Sequence, residues 1–429
     1  METNAERTTV VDDLEWRGMV ADHTDLGALR SAMAAGSLTF YGGFDQTAPS
    51  LHFGNLVLLI TMRRLQLAGH RPIGLVGGAT GLVGDPSGRS SERTLNDPDV
   101  IAGWVERIRS QVERYLSFEG TNAAIIVNNL DWTAQMSAID WLRDIGKHFS
   151  VSRMLAKEAV SARLETGGIS YTEFSYQVMQ AVDFLELFRR HGCTLQLGGS
   201  DQWGNLTAGV DLIRRVEGSV VHALATPLIT RPDGEKFGKS TGSTLLLDPE
   251  LTSPFAFYQW FLNTDDAVVD TYLRVFSFRS HAEIEALEAE ATSRPEARAA
   301  QRALAAEVTE LVHGADATRA AIAASAALFG GGSLHGIDPA TLEAAFADLP
   351  RATLASRNGL PPVLDLFVES GLSESRGAAR RVLSDGGGYV NNVRVADPAA
   401  VPDRSELLAG RWLLLRRGKR NLAVAEVIA

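Results

Sequence analysis

Two short segments of this 429-residue chain place hydrogen-bond donors and positive charge where a polyphosphate would need them. In the run Tyr41-Gly-Gly-Phe-Asp-Gln-Thr47-Ala-Pro-Ser-Leu-His52-Phe-Gly54-Asn55, an apolar stretch gives way to a helical pattern. A helix starting there offers unpaired backbone N–H groups to an anion. His52 and Asn55 fall on the same turn, both able to donate to phosphate oxygens, and glycine at 54 lets a nucleotide base come close to the backbone. The plainer reading is a histidine that only caps its helix. Later, Lys236-Phe-Gly-Lys239-Ser240 follows a stretch expected as a strand, Pro227–Thr230, and the turn signal Arg-Pro-Asp-Gly. Two lysines flanking a glycine make a doubly cationic loop that could close over a departing pyrophosphate and offset the charge growing in the transition state. A solvated basic hairpin is the alternative.

Three further segments carry polar side chains in suggestive places. Gly77-Gly-Ala-Thr-Gly-Leu-Val-Gly-Asp85-Pro-Ser-Gly-Arg89-Ser-Ser-Glu-Arg93 is glycine-rich, but its spacing is G-x-x-G-x-x-G. That is neither the G-x-G-x-x-G of a dinucleotide site nor a Walker A loop, so nicotinamide-dependent oxidoreductases are set aside. Within Tyr171-Thr-Glu-Phe-Ser-Tyr176-Gln-Val-Met-Gln180-Ala-Val-Asp183-Phe, the residues Tyr176, Gln180 and Asp183 are four and three apart and share one helix face. Phe174, Val178, Val182 and Leu185 are left for the core; a polar stripe of this kind is also what a solvated face looks like. Leu197-Gly-Gly199-Ser-Asp201-Gln202-Trp-Gly ends one element and opens a helix.

The elements that must position these groups read as α/β. Apolar runs suited to buried strands occur at Leu38–Phe44, Pro72–Val76, Ala124–Val127 and Thr194–Leu197, each followed by a turn and a helical pattern. Alternation of this kind predicts a Rossmann-like parallel sheet covered on both faces, with ligands at the strands' carboxyl ends. From Thr252 to Phe329 the chain is rich in Ala, Glu, Leu and Arg and reads as helical. Gly330–Gly332 and Ala352–Pro362 look like linkers. An amphipathic helix from Pro362, a second at Arg376–Leu383 and strands at Tyr389–Val395 and Arg411–Arg417 make a small α+β unit. The expected organisation is a catalytic domain with a helical insertion at 1–227, the cationic loop and a helical domain at 228–335, a linker at 336–360, and the small module at 361–429.

Bulk properties restrict the class. Apolar residues make up 45% and charged residues 22%, an ordinary globular balance. There is no apolar run long enough for a membrane helix, and the first residues are too charged for a secretory signal. The single cysteine, Cys193, excludes an internal disulfide and a multi-cysteine zinc site, and reads as a structural thiol. A cytoplasmic location is expected. The net charge of −11 argues against a protein coated in nucleic acid, yet ten Lys and Arg against eight Asp and Glu from Pro361 onward give that part +2 and the rest about −13. An acidic body with a basic tail predicts a tethered RNA-binding module.

Taken together, His52-Phe-Gly54-Asn55 resembles the HIGH signature and Lys236-Phe-Gly-Lys239-Ser240 the KMSKS signature of class I aminoacyl-tRNA synthetases, in the right order and about 180 residues apart. The Gly77–Arg93 and Tyr171–Phe184 segments resemble the bacterial tyrosyl branch of that class. Leu197–Gly204 resembles a segment shared by its tyrosyl and tryptophanyl members. Residues 362–395 are similar to the RNA-binding module named after ribosomal protein S-four. The resemblance runs from about Leu38 to the C-terminus.

It implies an enzyme that activates L-tyrosine with ATP, accompanied by magnesium, and transfers it to tRNA(Tyr), with a homodimer as the working form. By the same resemblance Tyr41 and Asp183 face the substrate's phenolic hydroxyl. Asp85, Tyr176 and Gln180 hold its ammonium, and Gln202 orients its carboxylate. Thr47 and His52 hold the γ-phosphate, joined by Arg89, Arg93, Lys236 and Lys239. Gly54, Asn55, Gly199, Asp201 and Ser240 serve the nucleotide, with Asn55, Gly199 and Asp201 at the ribose. Arg376, Arg380 and Arg381 contact RNA, and the helical domain carries anticodon recognition. Asn55 stands where the signature has its second histidine, Gln46 where many relatives have proline, and Arg89 where some have lysine. No metal held by the protein is implied. A tryptophanyl enzyme, or a non-catalytic RNA-binding derivative, remains open on these residues. The roles implied for the lysines predict that Lys239→Ala lowers the rate of adenylate formation at a cost of about 2–4 kcal/mol of barrier. Tyrosine affinity should stay unchanged; a pre-steady-state measurement showing weaker tyrosine binding at an unchanged rate would remove Lys239 from this role.

Overall fold

The computed structural model describes residues 4–45, 48–87, 97–166, 168–229, 245–355, 359–418 and 421–428. They fall into two compact units, Met1–Asp248 with Asp265–Pro295, and Pro249–Thr264 with Glu296–Ala429.

The first unit is built on a six-stranded sheet in the order β1 (Asp22–His23), β6 (His222–Thr226), β5 (Cys193–Gly199), β2 (Thr39–Phe44), β3 (Arg71–Val76) and β4 (Ile125–Asn128). β1 runs antiparallel to β6, and the other pairings are parallel. The four strands expected from the sequence are therefore present and paired as an α/β sheet. β3 is buried from Pro72 to Val76, as a parallel strand covered on both faces must be. The strand expected at Pro227–Thr230 lies one step earlier, at β6, because Pro227 has no N–H to give to the ladder. The chain proceeds from β2 through β3 to β4 on one side, then returns to β5 and β6 on the other. The carboxyl ends of β2 and β5 thus flank the point where strand order reverses, the position at which such sheets bind ligands.

Two helices carry most of the candidate chemistry. Phe53–Leu67 is buried at eleven of its fifteen residues, so it is packed on nearly every side and fixes what stands at its N-terminus. Tyr171–His191 starts at Ser170, whose hydroxyl accepts the Glu173 N–H at 3.3 Å, and stops at Gly192 in the left-handed conformation (φ 62°). Arg189, Arg190 and His191 in its last turn oppose the negative end of the helix dipole. Near its start Glu173 forms a buried ion pair with Arg163 at 2.9 Å. Its inner face joins Tyr41, Ile73, Leu75, Trp132, Phe184 and Leu187 in one apolar core.

The helices Val269–Phe276 and His281–Ser293, expected within the helical domain, pack in the first unit instead. The Phe53 ring meets Phe276 at 4.8 Å and Tyr272 at 5.9 Å between centroids. The buried Arg17 guanidinium donates to the carbonyls of Arg274, Ser277 and Arg279 at 2.9, 3.0 and 2.8 Å. His281 stacks on Trp16 at 3.7 Å and meets Asp13 at 2.8 Å.

In the second unit the helices Pro254–Leu262, Ala299–His313 and Ala315–Gly330 precede a five-stranded sheet. Its order is β7 (Arg351–Ala355), β11 (Asn421–Ile428), β10 (Trp412–Arg417), β8 (Gly388–Val390) and β9 (Val393–Val395), with only β7 and β11 parallel. The stretch expected as a linker at 336–360 holds the helix Pro339–Phe346 and β7; alternation buries Ala352 and Leu354 and draws that strand into the sheet. The single strand expected over Tyr389–Val395 is a hairpin. Asn391 and Asn392 both adopt positive φ (46° and 66°), which a two-residue turn of this hand requires. Among the described residues no helix is long and apolar enough to cross a membrane.

Candidate active site

Near the carboxyl ends of β2, β3 and β4 the chain buries a cluster of polar side chains. Tyr41, on β2, is 2% exposed, and its hydroxyl has no hydrogen-bond partner. Burial, followed by the charge of nearby Asp183, raises its pKa well above the ordinary tyrosine value, so it stays a phenol able to donate. Asp183, on the helix Tyr171–His191, accepts from Trp132 Nε1 at 2.8 Å and from Asn129 Nδ2 at 3.0 Å. Burial pushes its carboxyl up to about 7 despite those two donors, with the charges of Asp45 and Glu186 adding to the rise. A buried hydroxyl without a partner costs about 1–3 kcal/mol, which makes Tyr41 a candidate for contact with a polar ligand group.

A second network continues from the first. Asn129 Oδ1 accepts the Ala79 N–H at 2.7 Å, and its Nδ2 also reaches Thr80 Oγ1 at 3.0 Å. Thr80 donates to Asp45 Oδ1 at 2.7 Å, and Tyr176 donates to Asp45 Oδ2 at 2.6 Å. Gly77 makes this closeness possible: a Cβ there would lie 2.2 Å from Asp45 Oδ1 and 2.4 Å from Thr80 Oγ1. Asp85 is 7% exposed; its carboxylate accepts the Ser87 N–H at 2.9 Å and the amide of Gln202, which is steadied by Asn205 at 2.9 Å. Gln180 lies half-buried one turn beyond Tyr176. Tyr41, Asp85, Tyr176, Asp183 and Gln202 are thus part of one polar lining.

Asp45, Thr80, Asn129 and Trp132 were not singled out from the sequence. Each follows a strand directly: Asp45 after β2, Thr80 after β3, and Asn129 and Trp132 after β4. The rule that ligands gather at strand ends could have flagged all four.

Among the residues expected to serve the nucleotide, His52 is the N-cap of the helix Phe53–Leu67, and its backbone N–H donates to Asn55 Oδ1 at 3.0 Å. Asn55 therefore closes the helix start with its oxygen, leaving its Nδ2 to donate. His52 Nδ1 is buried without a partner, and burial lowers the ring's pKa, which keeps it neutral. A Cβ at Gly54 would lie 2.8 Å from His52 Cε1, so glycine is required by the imidazole itself. Gly199 ends β5, and Asp201, exposed, follows in the short helical turn Ser200–Gln202. Thr47, Arg89, Arg93, Lys236, Lys239 and Ser240 lie outside the described residues. Beyond the last of them, residues 245–247 pair with the His52 turn: Phe53 N–H to Leu245 and Leu247 N–H to Leu51, both at 2.9 Å.

In the second unit Arg376, Arg380 and Arg381 are exposed on the helix Arg376–Ser384, with Arg376 paired to Asp365 at 3.1 Å. Cys193 is fully buried at the start of β5, and burial raises its pKa, so it is an inert thiol.

Asp183 gives the site a pH signature. Between the ordinary carboxylate range and about pH 7 the folded chain keeps a proton that the unfolded chain has lost, so stability falls as pH rises through that window. Asp183→Asn removes this slope. Compared with the unaltered protein, the variant should gain stability between about pH 5 and about pH 8 in denaturant unfolding. A difference that stays constant with pH would mean that Asp183 does not titrate there.

Comparison with known proteins places this geometry. The profile of the tRNA synthetases class I (W and Y) matches residues 33–330, and that of the tyrosine–tRNA ligase SYY-like C-terminal domain matches residues 341–425. The tyrosine–tRNA ligase of Streptomyces avermitilis is 63% identical over 98% of this chain and 99% of its own length. That of Mycobacterium bovis is 56% identical over 98% and 99%. The solved structure of a C-terminally truncated Aspergillus nidulans mitochondrial tyrosyl-tRNA synthetase is 31% identical, covers 73% of this chain and 92% of its own, and superposes with a TM-score of 0.67. A strand-end pocket that buries an unpaired phenol beside a carboxylate thus sits in a chain that belongs to the tyrosine–tRNA ligases, within the class I tRNA synthetases.

Proposed function

We propose that this chain activates L-tyrosine with ATP to tyrosyl adenylate and pyrophosphate, then passes tyrosine to the 3′ end of tRNA(Tyr). The observation that carries this is the unpartnered Tyr41 hydroxyl beside Asp183. A substrate phenol can donate to the carboxylate and accept from Tyr41, satisfying both. Phenylalanine would leave both stranded; tyrosyl-tRNA synthetases are the standard worked case of this discrimination, so only its direction is taken over.

Asp85 supplies the counter-charge for the substrate ammonium, with Tyr176 and Gln180 beside it. Gln202, already held on Asp85, orients the carboxylate. That carboxylate is a nucleophile at neutral pH and needs no general base. Its oxygen forms a bond to the α-phosphorus while the bond from that phosphorus to the bridging oxygen of pyrophosphate breaks. Catalysis is then positioning and charge stabilisation. His52, neutral, offers a hydrogen bond to phosphate, and Thr47, Arg89, Arg93, Lys236 and Lys239 serve the same end. The Asn55 amide, Gly199 and Asp201 receive the ribose, and Gly54 and Ser240 flank the nucleotide. Magnesium arrives with ATP as part of the substrate.

For tRNA, the exposed Arg376, Arg380 and Arg381 suit phosphate contacts. The helices of the second unit take the anticodon end. A homodimer is proposed from the family resemblance. The cytoplasm is the proposed location.

Tyrosine-dependent ATP–pyrophosphate exchange, run beside tryptophan and phenylalanine, tests the reading. Exchange should occur with tyrosine alone, and Tyr41→Phe should narrow the preference for tyrosine over phenylalanine. Exchange driven by tryptophan would move the substrate. No exchange with any amino acid, from folded protein, would favour a non-catalytic RNA-binding role.

A further inference from the structure

Two buried polar side chains, Ser50 and Gln111, tie the approach to His52 to residues 245–248. Ser50 is 3% exposed and Gln111, near the end of the helix Pro98–Glu113, is 5% exposed. Gln111 Oε1 accepts the Leu51 N–H at 2.9 Å, which directs its Nε2 toward Ser50 Oγ at 3.3 Å. Ser50 Oγ in turn accepts the Asp248 N–H at 3.1 Å. Between these points residues 245–248 lie antiparallel to the His52 turn, through the Phe53-to-Leu245 and Leu247-to-Leu51 bonds and the His52–Leu246 bridge. One amide and one hydroxyl therefore hold two stretches of chain together: the one leading into His52 and residues 245–248.

An amide and a hydroxyl this deeply buried are costly unless they are used, and nothing in the tyrosine pocket uses them. We propose that Ser50 and Gln111 are positioning residues for adenylate formation. Their hydrogen-bonded pair fixes the backbone leading into His52 against residues 245–248, and so acts on the ATP side of the reaction and not on tyrosine. This rests on the activation reading above. Neither residue touches a reactant; each works through the backbone of Leu51 and Asp248. A misplacement of about 1 Å in such an arm is enough to cost a large factor in rate while leaving distant binding intact.

Ser50→Ala and Gln111→Met each remove the pair with little change of volume. In rapid-quench measurements at saturating tyrosine and ATP, each should lower the rate constant of adenylate formation about tenfold, equivalent to about 1.4 kcal/mol. The tyrosine dissociation constant from equilibrium binding should stay within about twofold. The double variant should be no slower than the slower single one, because both break the same unit. Unchanged rates, single effects that multiply, or tyrosine binding that weakens in step with the rate would each overturn the proposal, the last because a loosened fold would do the same. Unaltered protein that forms no tyrosyl adenylate would overturn the activation reading and this inference with it. Active unaltered protein with unaffected variants would overturn this inference alone.

Discussion

Burying a carboxylate with only neutral donors is the constraint on which the site depends. Asp183 is 2% exposed, and it accepts from an indole and an amide. Such a group is tolerable only if its neighbours are held rigidly enough to keep donating. The demand spreads outward from there. Asn129 can serve Asp183 only while its Oδ1 is held by the Ala79 N–H, which fixes the turn after β3. That turn delivers Thr80 to Asp45, and Asp45 receives Tyr176 from the same helix as Asp183. The loop closes on itself. Three strand ends and one helix are thereby locked into a single arrangement, while the buried Tyr41 hydroxyl stands outside it without a partner.

This division separates recognition from chemistry by dielectric environment. The phenol-facing groups are buried and largely neutral, so their hydrogen bonds are insensitive to salt and punishing when unmatched. The groups assigned to the phosphates are mostly long cationic side chains: Arg89, Arg93, Lys236 and Lys239. In the proposed role they would act on a reactant whose charge rearranges, where a preset field lowers a barrier instead of selecting a substrate. His52 stands at the boundary. It is kept neutral by burial, yet caps a helix whose first turn carries N–H groups suited to an anion.

Much of this was legible in the chain, for physical reasons that differ by element. The four expected parallel strands are short apolar runs bounded by turn residues, a pattern that burial on both faces imposes. The site residues that could be read were those inside long, distinctive segments, such as Tyr176 and Asp183 on one helix face. Asp45, Thr80, Asn129 and Trp132 escaped because their roles arise from convergence: they lie far apart in the chain and become neighbours only when β2, β3 and β4 align. β7 was hidden among turn-forming residues, since a five-residue alternation is too short to outweigh the Asn-Gly and Pro-Pro that follow it. The helices at 269–293 carry a helical pattern like their neighbours; which unit they join is decided by Phe53 and Arg17, partners that no local window contains.

The small module also differs from a basic domain on a free tether. Asn392, at the tip of the β8–β9 hairpin, donates to the carbonyls of Ala327 and Gly332 at 2.6 and 2.9 Å, at the end of the helix Ala315–Gly330. The Ala327 carbonyl is among those a helix terminus leaves unpaired, and Gly332 follows directly after the cap, so the contact closes that end of the helix. With β7 contributed by the stretch between helix and module, the helical part and the sheet share one unit. A nucleic acid held by Arg376, Arg380 and Arg381 would then meet the helices in a set orientation. The acidic charge of the preceding residues would disfavour phosphate contact elsewhere. Selectivity for one way of docking would thus come from repulsion by most of the surface as much as from attraction by a small part of it.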